Sequence, residues 1–162
     1  MSDSNTIKLR SSDGNSFTTS LKCVKMCGTL KEMLLTLDSV DIDEIPLHNV
    51  DSITLEKVIR WLEHHKNEPQ PSSEDIKDKT AETIDDWDES FLDVELNQLY
   101  EMITAANYLE IPQLLWLTTR KIAYMIKGKS PEEIRTIFNI ENDWTPQELE
   151  AVQKENQWCE EK

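Results

Sequence analysis

Glycine is scarce in this sequence, with three residues in 162. Phosphate-binding loops need glycines so that backbone N–H groups can approach the phosphates closely, and the sequence contains neither a Walker loop nor a G-x-G-x-x-G pattern. The G-x-S-x-G elbow of serine hydrolases is absent as well. The sequence therefore gives no positive case for an enzyme, and we predict no catalytic residues and no cofactor.

Cysteine is also scarce, and the three thiols form an odd number. Cys23 and Cys27 could share one face of a helix, but a structural zinc site needs four ligands, and no second Cys or His pair has finger-like spacing. Cys159 is followed by two glutamates that disfavour its thiolate, which is the opposite of an activated nucleophile. We therefore predict no metal site and expect all three cysteines to be reduced.

Basic residues are few, since 17 Lys and Arg face 32 Asp and Glu, and the formal net charge is −15. Phosphate backbones repel such a chain, so nucleic-acid binding is disfavoured, whereas a basic protein partner would be attracted. No apolar run approaches the roughly 20 residues of a membrane span, and the N-terminal residues lack the pattern of a signal peptide. We expect a cytoplasmic and nuclear protein without a membrane partner.

The first 65 residues predict a small α+β unit. Thr6–Arg10 alternates apolar and polar residues and is followed by an Asp-Gly turn signal, which predicts a β-hairpin with Phe17–Thr19. Two short helices are then predicted, with a break between them near Gly28. Ile45–Leu47 is expected to form a short strand at a sheet edge, because proline has no N–H to donate to a neighbouring strand. A longer helix is predicted from Leu55 to the adjacent histidines 64 and 65, which we interpret as a polar helix end.

The segment 66–86 interrupts this pattern with two prolines, seven acidic residues and only two large apolar residues. Such a composition buries too little apolar surface to order itself, so we predict a flexible acidic loop. Trp87, Phe91 and Leu92 mark the return to structure. Two helical stripes follow, at 96–106 and 111–126, and Gly128 is expected to end the second helix.

The last part of the chain contains two helix starts of the same kind. Ser130-Pro131-Glu132-Glu133 and Thr145-Pro146-Gln147-Glu148 each provide a hydroxyl cap, a proline at the first helical position and a glutamate three residues after the cap. Helices of about 10 residues are marginal alone in water. We therefore predict that these helices need a partner to pack against.

Five tryptophans separate into core and surface candidates. Trp61, Trp87 and Trp144 lie beside apolar stripes and are expected in the core or at its edge. Trp158 has no such stripe on its own segment, and tryptophan is enriched among interface anchors, so we predict that a partner covers it. Trp116 lies off the main stripe of its helix, as a second exposed contact or a local edge.

Several segments resemble a known family. They are AANYLEI at 105–111, MIKGKSPEEIR at 125–135, FNI at 138–140 and KENQWCEEK at 154–162, with IKL at 7–9, SSDG at 11–14, PL at 46–47, NV at 49–50, HHK at 64–66, WD at 87–88 and FL at 91–92 upstream. In this order the sequence is similar, over nearly its whole length, to the S-phase kinase-associated adaptor family, the adaptor subunits of SCF ubiquitin ligases.

The resemblance implies an α+β fold, with a BTB/POZ-type domain at residues 5–127 and a helical, F-box-binding C-terminal extension at 128–162. It also implies a non-catalytic protein that bridges a cullin N-terminal domain and F-box substrate receptors in ubiquitin-dependent proteolysis. The RING subunit and the ubiquitin-conjugating enzyme would be indirect partners. An uncovered apolar surface would favour homodimers when no partner is bound.

The resemblance also implies two sets of binding residues. By motif, Asn107 and Tyr108 match the cullin-contacting helix, and Thr104 lies one turn earlier near the same face. The F-box surface is matched by Leu115, Thr119, Ile122, Ile134, Phe138, Ile140, Trp158 and Cys159.

This chain departs from the family pattern at four positions. Thr104 stands where leucine is common, Thr119 where cysteine is, Tyr124 where asparagine is, and Trp116 where a small or acidic residue is usual. A polar residue on the cullin-facing helix would weaken that contact. The alternative hypothesis is therefore a divergent paralogue that binds F-box proteins outside the ligase or binds its cullin weakly.

Overall fold

The computed structural model describes residues 6–36, 44–69 and 84–160. It divides into a first unit, Met1–Tyr124, and a second unit, Met125–Lys162. The first unit combines a three-stranded sheet with helices, and the described part of the second unit is helical. The predicted α+β class is confirmed. The domain boundary predicted at residues 127 and 128 stays a prediction.

The sheet has the strand order β2-β1-β3. β1 (Thr6–Arg10) and β2 (Ser16–Ser20) pair antiparallel, with Leu9 opposite Phe17. The turn between them places Gly14 at φ 89°, a left-handed conformation that suits glycine. β3 (Glu44–Pro46) runs parallel to β1 at the sheet edge, where the missing N–H of proline does no harm. The predicted hairpin and edge strand are both present.

The helices follow the apolar stripes of the sequence. They are α1 (Leu21–Lys25), α2 (Gly28–Thr36), α3 (Ser52–His65), α4 (Asp86–Phe91), α5 (Leu96–Tyr108), α6 (Pro112–Ile126), α7 (Pro131–Phe138) and α8 (Pro146–Glu160). The predicted break near Gly28 is the start of α2. Residues 70–83, most of the predicted acidic loop, lie outside the described residues, so that loop stays a prediction.

Among the described residues, every buried apolar side chain lies in the first unit, between Leu9 and Leu117. Trp61 is fully buried and Trp87 is half-buried, as predicted for core and core-edge residues. The same expectation for Trp144 is wrong, because this side chain is 44% exposed. It lies in the connection between α7 and α8, where no apolar layer covers it, and the guanidinium of Arg135 lies 5.5 Å from its ring centroid.

The start of α2 is joined to the end of α5 by backbone hydrogen bonds. The Gly28 N–H donates to the Glu110 carbonyl at 3.0 Å, and the Thr29 N–H donates to the Leu109 carbonyl at 3.4 Å. Glu110 adopts the left-handed conformation with φ 52°. A Cβ on Gly28 would lie 2.5 Å from Glu110 Oε2 and 2.9 Å from Glu110 Cβ. Only glycine therefore fits at position 28 unless Glu110 moves.

We predict that Gly28→Ala lowers the free energy of unfolding by about 1 to 3 kcal/mol, as overpacking usually does. Urea denaturation measures this loss. Glu110→Gly removes the clashing side chain and relieves the left-handed strain, so Gly28→Ala should cost much less in that background. An equal loss in both backgrounds would contradict the proposed contact.

Glu63, near the end of α3, ties three elements together. Its Oε1 accepts hydrogen bonds from the Thr19 hydroxyl at 3.2 Å, the Ser20 N–H at 3.3 Å and the Cys23 thiol at 3.2 Å. Its Oε2 lies 2.6 Å from Lys66 Nζ. The Lys66 hydrogen bond, with those of Cys23 and Ser20, lowers the pKa of Glu63 to about 2 against the opposing effect of burial.

We predict that Glu63→Gln destabilises the chain in a pH-dependent manner. A depressed pKa contributes stability that is present above the ordinary carboxyl value and is lost as the pH falls through the folded value. The difference in free energy of unfolding between wild type and variant should therefore be largest above about pH 5 and shrink towards pH 2. Denaturant unfolding between pH 2 and 7 tests this, with Glu56→Gln on the exposed side of the same helix as control. A difference that does not change with pH would contradict it.

Candidate functional site

The outer face of α5 carries the three residues predicted to contact a cullin. Thr104 and Asn107 are exposed and Tyr108 is half-buried, while Leu99, Met102, Ala105 and Ala106 form the buried face of the helix. Positions 104, 107 and 108 are three and four residues apart, so they are neighbours on one helix surface. The structure therefore brings the predicted trio together.

The end of α5 is held by a specific cap. The Ile111 N–H donates to the Ala106 carbonyl at 2.9 Å and the Glu110 N–H donates to the Asn107 carbonyl at 3.2 Å, which is the Schellman pattern with a left-handed glutamate in place of glycine. The Thr29 hydroxyl donates to the Tyr108 carbonyl at 2.8 Å. The backbone of Asn107 and Tyr108 is thus fixed from two sides.

The hydroxyl of Thr104 is satisfied within its own helix. Its hydroxyl donates to the Tyr100 carbonyl one turn earlier at 3.0 Å. Because that hydrogen bond lies within the helix, a partner surface need not supply an acceptor. The cost of burying this threonine at an interface is therefore smaller than its polarity suggests.

A second stripe lies on α6. Leu115 and Ile122 are half-buried and Thr119 is exposed, and the spacing of four and three residues places them on one face. The Thr119 hydroxyl donates to the carbonyls of Leu115 and Trp116 at 2.8 and 2.9 Å. The hydroxyl of Thr119 is thus hydrogen-bonded within its own helix, so an apolar partner could cover this stripe without supplying an acceptor.

Beside that stripe, Trp116 and Tyr124 lie on either side of Arg120, which contacts both rings. The guanidinium of Arg120 lies 4.8 Å from the ring centroid of Trp116 and 5.5 Å from that of Tyr124, and it donates to the Tyr124 hydroxyl. Trp116 is half-buried, which agrees with a local edge. Nothing in the sequence indicates that an arginine joins these two aromatic residues.

In the second unit, α7 begins with a complete capping box. The Glu133 N–H donates to Ser130 Oγ at 3.2 Å, and the Ser130 N–H donates to Glu133 Oε2 at 2.8 Å. Ile134 and Phe138 are half-buried, one turn apart on this helix. A left-handed Asn139 ends it, with φ 52°, and the Ile140 N–H returns to the Arg135 carbonyl. Ile140 is left 55% exposed.

α8 presents the most exposed aromatic residue of the described chain. Trp158 is 76% exposed, and its neighbour Cys159 is an exposed free thiol. Thr145 directly precedes the helix, and its N–H donates to Glu148 Oε2 at 2.9 Å. None of the described side chains from 125 to 159 is buried. Among the described residues Trp158 is therefore exposed, as the lack of an apolar stripe on its own segment indicated, and that a partner covers it stays a prediction.

The described residues give little support to other chemistry. Cys23 and Cys27 are buried, and burial raises the pKa of both thiols, that of Cys27 to about 12. Across the described ranges, no three His, Cys, Asp or Glu side chains cluster as metal ligands would. A search of the same residues found no helix long and apolar enough to cross a membrane.

Comparison with protein families then places the chain. The model of the tetramerisation domain of the Skp1 family matches residues 5–67, and that of the Skp1 family dimerisation domain matches residues 112–159. Relatives agree over nearly the full length. A Skp1-related protein of Caenorhabditis elegans is 42% identical over 160 residues, which cover 95% of this chain and 91% of the relative.

This chain belongs to the Skp1 family. The E3 ubiquitin ligase complex SCF subunit sconC of Arthroderma benhamiae is 45% identical over 159 residues, covering 97% of this chain and 96% of that protein. The SCF ubiquitin ligase complex protein SKP1a of Dictyostelium discoideum is 46% identical over 157 residues, covering 96% of each chain. The resemblance drawn from the motifs is thus confirmed.

The roles assigned to individual residues in this Skp1-family chain stay predictions. The structure places the α5 trio on one face and the α6 trio on another stripe of the first unit. That the α6 stripe and the residues of the second unit form a single F-box surface is likewise a prediction. Sequence reasoning correctly placed His65 at the end of its helix but missed that this residue is buried between two carboxylates. The sequence contains the motif Trp87-Asp88, but nothing in that motif indicates that Asp88 pairs with His65.

The capping box of α7 gives a direct test of the second unit. We predict that Ser130→Ala destabilises α7 by about 1 kcal/mol, because the Glu133 N–H loses its acceptor. Amide hydrogen exchange of residues 131–138 measures the loss. Thr136→Ala is the control, since its hydroxyl donates to the Glu132 carbonyl inside the helix and takes no part in the cap. Equal effects of the two substitutions would contradict the role of the cap.

Proposed function

We propose that this Skp1-family chain is a non-catalytic adaptor of an SCF ubiquitin ligase, bridging a cullin scaffold to F-box substrate receptors for ubiquitin-dependent proteolysis. The observation that carries the proposal is the exposed second unit, in which a capped helix ends in a Trp158 that is 76% exposed. Two relatives whose names include SCF ubiquitin ligase complexes support it.

A bridging role requires one set of binding residues for each partner. The α5 face with Thr104, Asn107 and Tyr108 would take the cullin N-terminal domain. The residues for an F-box protein are Leu115, Thr119, Ile122, Ile134, Phe138, Ile140, Trp158 and Cys159. An adaptor that holds both partners converts a bimolecular encounter between substrate and ubiquitin-conjugating enzyme into a reaction within one complex. No catalytic group is needed for this effect.

The F-box partner would supply the apolar layer that α7 and α8 lack. Helices of 8 and 15 residues gain most of their stability from packing of an apolar face. Ile134 and Phe138 on α7 and Trp158 on α8 are apolar residues that a partner could cover, and tryptophan is the residue type most enriched at interface hot spots. Without that partner, the same surface would favour homodimers. We place the adaptor in the cytoplasm and the nucleus.

A specialised paralogue is the second candidate, and Thr104 is the observation that favours it. Such a protein would bind F-box proteins but bind its cullin weakly or act outside the ligase. The internal hydrogen bond of the Thr104 hydroxyl argues for the first candidate, because it removes the polar penalty at the cullin face. Binding to the cullin domain therefore distinguishes the two.

Reconstitution with purified components tests the proposal. The chain is mixed with an F-box protein and with a cullin N-terminal domain, separately and together, and affinities are measured by calorimetry. We predict that Trp158→Ala weakens F-box binding by about 2 kcal/mol or more, roughly thirtyfold, and leaves cullin binding unchanged. The double variant Asn107→Ala/Tyr108→Ala should do the reverse.

Each variant serves as the control for the other surface. Gln153→Ala provides a matched control on α8, because it is exposed and lies about 140° around the helix from Trp158. Loss of both partners with either variant would indicate misfolding rather than a lost contact. Wild-type binding to the F-box protein alone would favour the specialised paralogue, and binding to neither partner would overturn the adaptor function.

A further inference from the structure

His65 is buried at the end of α3, where both of its ring nitrogens face carboxylates. The residue is 3% exposed. Its Nδ1 lies 2.8 Å from Glu68 Oε2, and its Nε2 lies 3.1 Å from Asp88 Oδ1 on α4. Glu68 is held in place because its N–H donates to the His65 carbonyl at 3.0 Å. The imidazole therefore joins the end of α3 to a residue that follows 23 positions later in the chain.

This geometry determines the protonation state of the ring. An ionised carboxylate only accepts hydrogen bonds, and a neutral imidazole has a single N–H. A neutral His65 could therefore satisfy Glu68 or Asp88 but not both, whereas the imidazolium donates to each. The position at a helix C-terminus also favours a cation, because the helix dipole is negative there.

The surroundings leave Asp88 dependent on its donors. The Trp61 indole N–H donates to the same Asp88 Oδ1 at 3.0 Å. The Asp88 side chain is only 10% exposed, so solvent replaces a lost donor poorly. Of the described titratable groups, Glu68 and Asp88 pair with His65. The His64 ring lies edge-on to the His65 ring, with 4.9 Å between the two ring centroids.

We infer that His65 is a pH-responsive clasp that, as an imidazolium bound to Asp88 and Glu68, holds α4 against the end of α3. When the ring loses its proton, it keeps a single N–H and no charge strengthens the remaining hydrogen bond, so the link between the end of α3 and Asp88 on α4 weakens. None of His65, Glu68 and Asp88 belongs to the residues assigned to the cullin or the F-box protein.

The sign of the pH effect follows from the partners. Burial opposes the charge, but the hydrogen bonds of Asp88 and Glu68 outweigh it and raise the pKa of His65. A raised folded-state pKa contributes stability that is complete below the unfolded value, about 6.5, and is lost as the pH rises through the folded value. The window therefore begins near neutral pH, and alkaline conditions open the clasp.

Release of α4 would also change the surface of the first unit. Trp87 stacks on His64 with ring centroids 3.7 Å apart and on Phe91 at 5.1 Å. Trp87, Ser90 and Phe91 on α4 and Lys57 and Arg60 on α3 line a cleft of about 170 Å³. Both helices line this cleft, so the clasp would help to keep that surface in place.

The test combines a histidine titration with hydrogen exchange in the full-length protein. Nitrogen-15 NMR of the imidazole should show a pKa above about 6.5, with both ring nitrogens protonated at pH values below that pKa. Amides of α4 should open more often as the pH rises from 6 to 9, after correction for the intrinsic exchange rate. The opening constant should grow about tenfold for each unit by which the measured pKa exceeds the ordinary value.

Two variants separate the clasp from a merely structural role. His65→Gln can donate a hydrogen bond but cannot gain a proton, so its α4 opening should be independent of pH over this range. His64→Gln is the matched control, since it removes the histidine stacked on Trp87 and should retain the pH dependence. A His65 that titrates at or below 6.5 in the wild type would overturn the inference, even if His65→Gln failed to fold. A His65→Gln variant that kept the wild-type pH dependence would overturn it as well.

Discussion

The packing of α3 against α5 is the interaction on which the first unit depends. Leu55, Val58, Trp61 and Leu62 of α3 and Leu99, Met102 and Ala106 of α5 are all buried, and the Gln98 amide donates to the Thr54 hydroxyl at 3.1 Å across the pair. Each fully buried apolar side chain contributes about 1.5 to 3 kcal/mol relative to an exposed one. Because one face of α5 is buried in this contact, the opposite face, with Asn107, is exposed to solvent. The end of α3 lies next to Asp88.

The second unit follows a different physical logic. Its helices are specified by local signals at Ser130 and Thr145, yet none of its described side chains is buried. Caps define where a helix begins, but they contribute only about 1 kcal/mol each and do not replace packing. A unit built in this way has defined helices and an incomplete core, which is the form that a binding partner can complete. Trp158 and Ile140 are the most exposed large apolar side chains of the described part of this unit.

Sequence reasoning succeeded where the signal was local. The Asp-Gly turn predicted the hairpin, and the Ser-Pro-Glu-Glu start predicted α7, because both depend on interactions within a few residues. It was wrong for Trp144, since the neighbouring apolar residues of that segment do not form a buried layer. It interpreted His65 as a polar helix end because its partner Asp88 lies 23 residues away, beyond any periodic pattern. It likewise did not detect that Arg120 joins Trp116 and Tyr124.

The sequence by itself determined the order of the helices and strands, the acidic charge, the family and the candidate binding residues, because each of these is written in composition, in short motifs or in the spacing along one helix. Tertiary structure decided which polar groups are buried together. The approach of Gly28 to Glu110, the network around Glu63 and the pairing of His65 with Asp88 all join residues that are distant in the chain. Their energies depend on distance and burial, which only the folded backbone sets.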